Sequence, residues 1–258
     1  MTTPTATHAA AAPIETRVQT HGLRHLRLLG VELRKVADTR AGLTVLAVAA
    51  LLTCAFAVGR AWSDADFGQI ASMAAMPGAI AVQILAILLV TQERTHQTGV
   101  TTWSLNPRRH QVIIAKAEAA LVLCVIAWVL ALALAAVIVP LSGTFADEPA
   151  SWTTDWSLVL TTLGNNAGFA LTGIALGLAF GSAPAPIIIV AMWSMVETMV
   201  TTFVSATEEF FTWINPAILQ PIAGEVTTGG IARMLTAIAF WIVLPAIIGW
   251  RRTVTEEP

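Results

Sequence analysis

Glu197 is the one carboxylate near the middle of a long apolar run, and a polar group in such a place costs free energy unless it is paired or lines water. Asn165 and Asn166 in a second run, and Gln83 in a third, lie at similar distances from the ends of theirs. Residues of these types can contact a cargo or a proton along a path, or they can tie facing helices together by hydrogen bonds. A path for a charged cargo needs more than one ionisable group, and Gln83, Asn165 and Asn166 are neutral. Tying is therefore the expected role of Glu197, on a face turned to the protein interior or a subunit interface, with a transport role as the alternative.

No other constellation points to catalysis. The chain has no Gly-x-x-x-x-Gly-Lys-Ser/Thr phosphate loop and no His-Glu-x-x-His, so neither ATP binding in that manner nor metalloprotease chemistry is expected. His8, His21, His25, His96 and His110 fall outside the apolar runs, away from any buried catalytic pair. Cys54 and Cys124 lack metal-ligand or redox spacing and read as small buried hydrophobes. The chain is accordingly expected to be neither an enzyme nor a metal binder.

The elements that would position these residues follow from composition. Hydrophobic residues make up 56% of the 258 and charged residues 12%, against about a quarter charged in a soluble domain. Runs close to the bilayer length of about 20 residues occur at 41–59, 70–91, 112–139, 158–180, 186–206 and 231–250. The expected fold is thus an all-α integral membrane protein with six transmembrane helices. The third run is too long to stand upright in a bilayer, and Lys116 and Glu118 near its start belong at or beyond the inner interface.

Basic residues set the orientation, because Lys and Arg accumulate on the cytoplasmic side of short loops. With both termini inside, twelve of the fourteen Lys and Arg are cytoplasmic, and only Arg60 and Arg233 fall outside. An odd number of spans would put Arg251 and Arg252 on the wrong side. A net charge of −2 gives no global field for nucleic acid. The plasma membrane is the expected location.

Three segments outside the spans have their own character. Residues 1–20 are rich in Thr, Ala and Pro and read as a disordered cytoplasmic tail ahead of a six-helix domain over 21–258. Within 22–38, Leu23, Leu26, Leu29, Gly30, Leu33, Val36 and Ala37 share one arc at 100° per residue, opposite Arg24, Arg27, Glu32, Arg34, Lys35 and Asp38. That pattern fits a helix lying in the inner interface, or alternatively a solvated extension of span one. The inner loop 92–111, QERTHQTGVTTWSLNPRRHQ, is long and basic; Val100 to Leu105 forms a candidate short helix and Asn106-Pro107 a helix start. It reads as a docking surface, or as a positive-inside anchor without a partner.

The outer segment 207–230 is too apolar for a free loop and too broken by Pro216 and Pro221 for a span, which predicts re-entrant half-helices. Gly173-x-x-x-Gly177 offers a close helix approach, Pro245 a kink and Pro184/Pro186 a helix start.

The order of these parts, with Val31-Glu-Leu-Arg-Lys35 ahead of span one, Gly99-Val-Thr-Thr102, Asn106-Pro-Arg-Arg109 and Ala115-Lys116, resembles the permeases of type 2 ABC exporters, particularly actinobacterial ones. The resemblance covers essentially the whole chain. It implies an interfacial connecting helix, a coupling helix between spans two and three, and short re-entrant helices between spans five and six. It also implies a second permease copy or homologue and two cytoplasmic ABC ATPase subunits, which would hold the ATP and Mg, with no cofactor on this chain. By that analogy the loop docks on the ATPase through Glu93, Arg94, Thr101, Thr102, Trp103, Leu105, Pro107, Arg108 and Arg109. Gln83, Asn165, Asn166 and Glu197 would then line a translocation path or tie helices. The family handles drugs, peptides, lipids and polysaccharides, and an exporter of a hydrophobic or amphipathic compound is expected. Two rivals stand beside it: an ion-coupled transporter or channel using Glu197, and a non-transporting scaffold or immunity protein.

Overall fold

A computed structural model describes residues 14–63, 65–95, 109–223 and 226–255. Its helices are α1 (Ile14–Asp38), α2 (Arg40–Ala61), α3 (Phe67–Thr95), α4 (Arg109–Ser142), α5 (Trp156–Phe180), α6 (Pro184–Phe203), α7 (Glu208–Trp213), α8 (Thr228–Ile238) and α9 (Leu244–Thr255). A π-helical turn over Ala239–Val243 joins α8 to α9. Six stretches are long and apolar enough to cross a membrane: α2, α3, α4, α5, α6 and the continuous α8–α9. These coincide with the six runs read from sequence, because a membrane helix satisfies its backbone within itself and so declares itself by local composition. The protein is a multi-pass membrane protein, and no strand forms among the described residues.

The bundle is organised around α3, which packs against α2, α4 and α5. Its closest approach is to α5. A Cβ built on Gly173 would lie 2.5 Å from the Gln83 carbonyl oxygen and 2.9 Å from Ala86 Cβ, and one on Gly177 would lie 3.2 Å from Val90 Cβ. The Gly-x-x-x-Gly pair is therefore the contact strip that lets the two backbones meet. On another side of α5, Gly249 of α9 abuts Leu178 and Ala179, and Arg252 Nη1 donates to the Ala179 carbonyl at 2.6 Å. Gly181, at φ 68°, ends α5 in the left-handed conformation that glycine adopts without penalty.

Packing is uneven. Residues of α3 and α5 are largely buried, whereas Pro186 is the one buried residue of α6. Outward faces of α2 and α6 carry Leu51, Met195, Met199 and Phe203, all at least half exposed within the chain. Cys54 belongs to that outward face of α2, so its expected burial holds for Cys124 alone. One side of α2 meets α3, and position 54 points elsewhere.

Local chemistry sets the breaks. Thr39 separates α1 from α2 and caps the latter, its hydroxyl accepting from Gly42 N at 3.1 Å. Asp155 caps α5 by accepting from Ser157 N at 2.9 Å. Pro184 sits in the first turn of α6, where its missing N–H costs nothing. Pro245 cannot donate to the carbonyl of Trp241, and the helix widens immediately before it into the π turn, with Leu244 N bonded to Ala239 O. Where the sequence suggested a kink at Pro245, the structure has this π turn.

α1 is helical from Ile14, eight residues ahead of the boundary read at 22; the tail ahead of it lies outside the described residues. Its buried face differs from the predicted arc. Val36 is buried and Leu29 and Leu33 pack beside it against Leu85, Leu89 and Ala119, while Leu26, Gly30 and Ala37 are exposed. Glu32, placed by sequence on the polar side, is 2% exposed. The face is thus rotated by about 60° toward Glu32, at 100° per residue. The cause is a partner on α4.

Candidate functional site

That partner is Lys116, about two turns into α4 and 4% exposed. Its ammonium lies 2.9 Å from Glu32 Oε2 and donates to the Leu89 carbonyl of α3 at 2.7 Å. Lys35 closes the arrangement from the next turn of α1, 2.7 Å from Glu32 Oε1. A buried carboxylate between two ammonium groups is compensated, whereas alone it would be strongly unfavourable. The Lys116 side chain joins α1, α3 and α4 at the end of the bundle from which residues 96–108 depart. Sequence reading missed this pair by putting Glu32 on the polar side of α1 and Lys116 at or beyond the inner interface. The signal was Glu32 itself, an acid set among Leu29, Leu33 and Val36 at helical spacing.

The predicted docking residues divide. Glu93 and Arg94 fall in the last turn of α3 and Arg109 at the start of α4. Thr101, Thr102, Trp103, Leu105, Pro107 and Arg108 lie outside the described residues, as does the Asn106-Pro107 helix start.

The four polar residues of the spans do not form one hydrogen-bonded cluster. Asn165 and Asn166 are neighbours, so their side chains leave α5 about 100° apart. Asn165 Oδ1 accepts from the Leu219 backbone N–H at 2.7 Å. It thereby pins the broken segment after α7 against α5, where Gly164 and Gly168 leave room for Leu219 and Ile218. This segment, with a 3-10 turn at Ser205–Thr207, α7 and another 3-10 turn at Gln220–Ile222, buries Phe211, Ile214 and Ile218 against the bundle.

Asn166 turns instead toward Gln83 of α3, and both line a cavity of about 250 Å³. Gln83 is 6% exposed and Asn166 5%, and neither side chain is hydrogen-bonded among the described residues. Met76, Ile80 and Phe169 form apolar wall, while Trp193 and Ser194 of α6 face them and Trp241 and Pro216 complete the enclosure. Trp193 and Trp241 meet edge to face, centroids 4.7 Å apart. Trp241 Nε1 donates to the Ile214 carbonyl at 2.8 Å; Trp193 Nε1 is buried with no acceptor within reach. Trp193 was not singled out from sequence, although a tryptophan ten residues inside a span departs from the usual interfacial placement.

Glu197 stands one turn beyond Trp193 on α6, half-buried, and is not among the residues lining the cavity. Its carboxylate forms no hydrogen bond or ion pair among the described residues. A second groove, of about 300 Å³ and wholly apolar, runs between α2 and α3 and shares Met76 and Ile80 with the cavity.

No known family matches the chain, and comparison with curated proteins returns no significant match.

Proposed function

We propose that this chain is the membrane-spanning permease subunit of an ATP-driven exporter whose ATPase is a separate polypeptide. The observation that carries the reading is the Glu32–Lys116–Leu89 junction. Residues 96–108 connect α3 to α4, so work done on that loop enters at the end of α3 and the start of α4. Lys116 bonds those two helices to each other and to α1, and a displacement of either must move the three together or break a buried ion pair. A membrane scaffold has no need of such a junction beside its one long basic loop.

In this reading both termini and loop 92–111 are cytoplasmic, α1 lies along the inner interface with Leu26 toward lipid, and the segment 207–230 is the re-entrant element of the outer leaflet. The loop takes the role of coupling helix on the ATPase, which brings the ATP and Mg. The outward apolar faces of α2 and α6 belong against a second permease copy or homologue, which also gives half-buried Glu197 a setting away from lipid. The cargo is a hydrophobic or amphipathic compound.

The test is co-purification. A tagged chain extracted from its native membranes is expected to bring down a phosphate-loop ATPase in a ratio of two ATPase to two permease subunits. Recovery of the chain without an ATPase, under mild detergent that preserves other membrane complexes, overturns the reading.

A further inference from the structure

We infer that the cavity between α3, α5 and α6 binds an uncharged amphipathic molecule bearing a hydrogen-bond acceptor, such as a carbonyl, amide or hydroxyl, on a flat apolar body. The inference rests on the transporter reading for its use, since it names what the chain would carry, but binding itself needs no ATPase.

Three observations converge on it. First, hydrogen-bonding capacity is left unspent in an apolar enclosure. The side-chain amides of Gln83 and Asn166, residues 6% and 5% exposed, line the cavity with no hydrogen bond among the described residues, and beside them the indole N–H of Trp193 is buried with no acceptor. Buried polar groups in folded proteins are almost always satisfied, so an orphaned indole N–H beside two unpartnered amides on one cavity marks a place completed by something else. The amides of Gln83 and Asn166 can donate or accept whereas the Trp193 indole can only donate, so an acceptor is the group that all three can meet.

Second, none of the lining residues is charged. A cationic or anionic head would be desolvated with no counter-ion, a larger penalty than an amide or hydroxyl incurs. Glu197 does not alter this, because it lies outside the lining.

Third, the shape fits a planar apolar body. Trp193 and Trp241 stand at 90° to each other and line the cavity together with Phe169, so much of its wall is aromatic. About 250 Å³ accepts a small fused-ring system. Met76 and Ile80, both more than half exposed, form the rim, so the route in runs from the bilayer between α3 and α6.

The experiment uses the full chain in lipid nanodiscs, without ATPase, titrated with three pyrene probes that differ only in the head group: 1-pyrenebutanol, 1-pyrenebutyric acid and 1-pyrenebutylammonium. Energy transfer from tryptophan to pyrene reports occupancy, with empty nanodiscs giving the linear partition background and midpoints expressed per mole fraction of probe in lipid. The alcohol is expected to saturate at a midpoint at least about tenfold below both charged probes, about 1.4 kcal/mol. Trp193→Phe keeps an aromatic wall and removes the N–H, and should raise the alcohol midpoint about three- to tenfold, as should Asn166→Leu.

A purely linear signal, or equal midpoints for the three heads, overturns the inference; so do variants that elute as the native chain does and leave the midpoint unmoved. Should the variants misfold, the head-group ranking on the unaltered chain still decides. Head-selective binding by a chain that recruits no ATPase sinks the transporter reading alone. An ATPase partner with no selective binding sinks this inference alone.

Discussion

Lys116 of α4 reaches across 84 positions of sequence to Glu32 of α1, with 2.9 Å between Nζ and Oε2, and both side chains are almost wholly buried. Removing one member of such a pair leaves the other charged in a low-dielectric setting, at a cost of about 3–5 kcal/mol. Glu32→Leu should show that loss, because it takes from Lys116 the buried carboxylate that neutralises it. Lys116→Met should cost less, since Lys35 still holds Glu32 Oε1 at 2.7 Å. Combining the two changes should recover much of the loss. Thermal unfolding in detergent gives the ranking, and two single variants as stable as the native chain would contradict the buried pair.

Gly173 and Gly59 make a matched comparison. A Cβ on Gly173 meets the Gln83 carbonyl at 2.5 Å, and backbone cannot move aside as a side chain can; around Gly59 there is nothing within 4 Å. Gly173→Ala should lower the yield of folded protein and its melting temperature. Gly59→Ala should leave both unchanged or slightly raised, given alanine's higher helix propensity. Equal behaviour of the two would show that α3 and α5 are not in close contact.

Asn165→Leu removes the acceptor for Leu219 N and leaves a backbone donor stranded, for about 1–3 kcal/mol. The consequence should be local, with limited proteolysis finding new cleavage between 214 and 223 while the six spans remain protected. Asn166→Leu, one position along, should produce no such cleavage, because that side chain faces the cavity.

Cysteine labelling tests orientation. Reagents that do not cross the membrane should reach Arg108→Cys and Arg251→Cys from the same side and Asp147→Cys from the other. Labelling of positions 108 and 251 from opposite sides would overturn the even number of spans.

Loop coupling is tested in the assembled complex. Replacing Trp103 and Arg108 together by Ala should reduce substrate-stimulated ATP hydrolysis at least about tenfold, about 1.4 kcal/mol of coupling, with membrane insertion unchanged. Undiminished hydrolysis would place the ATPase contact elsewhere.

The sequence by itself determined the number of spans, their limits to within a few residues, and the helix start at Pro184. Each of these depends on consecutive residues: a helix in lipid closes its hydrogen bonds within its own segment, so length and apolarity are sufficient. The Gly173 and Gly177 pair was visible too, as a licence for close approach. Which helix would use that licence was decided by α3, whose Gln83 carbonyl lies against Gly173.

Tertiary structure alone decided what the polar residues do. Lipid and neighbouring helices are equally apolar, so a run such as α6 carries little sign of which side will meet protein. Asn165 and Asn166 look equivalent in the chain, yet the 100° between them sends one to Leu219 N and the other to the cavity. Glu32 and Lys116, read on a polar helix face and at or beyond the inner interface, instead satisfy each other, because the energy of a buried charge is set by what lies within a few ångströms in space rather than along the sequence.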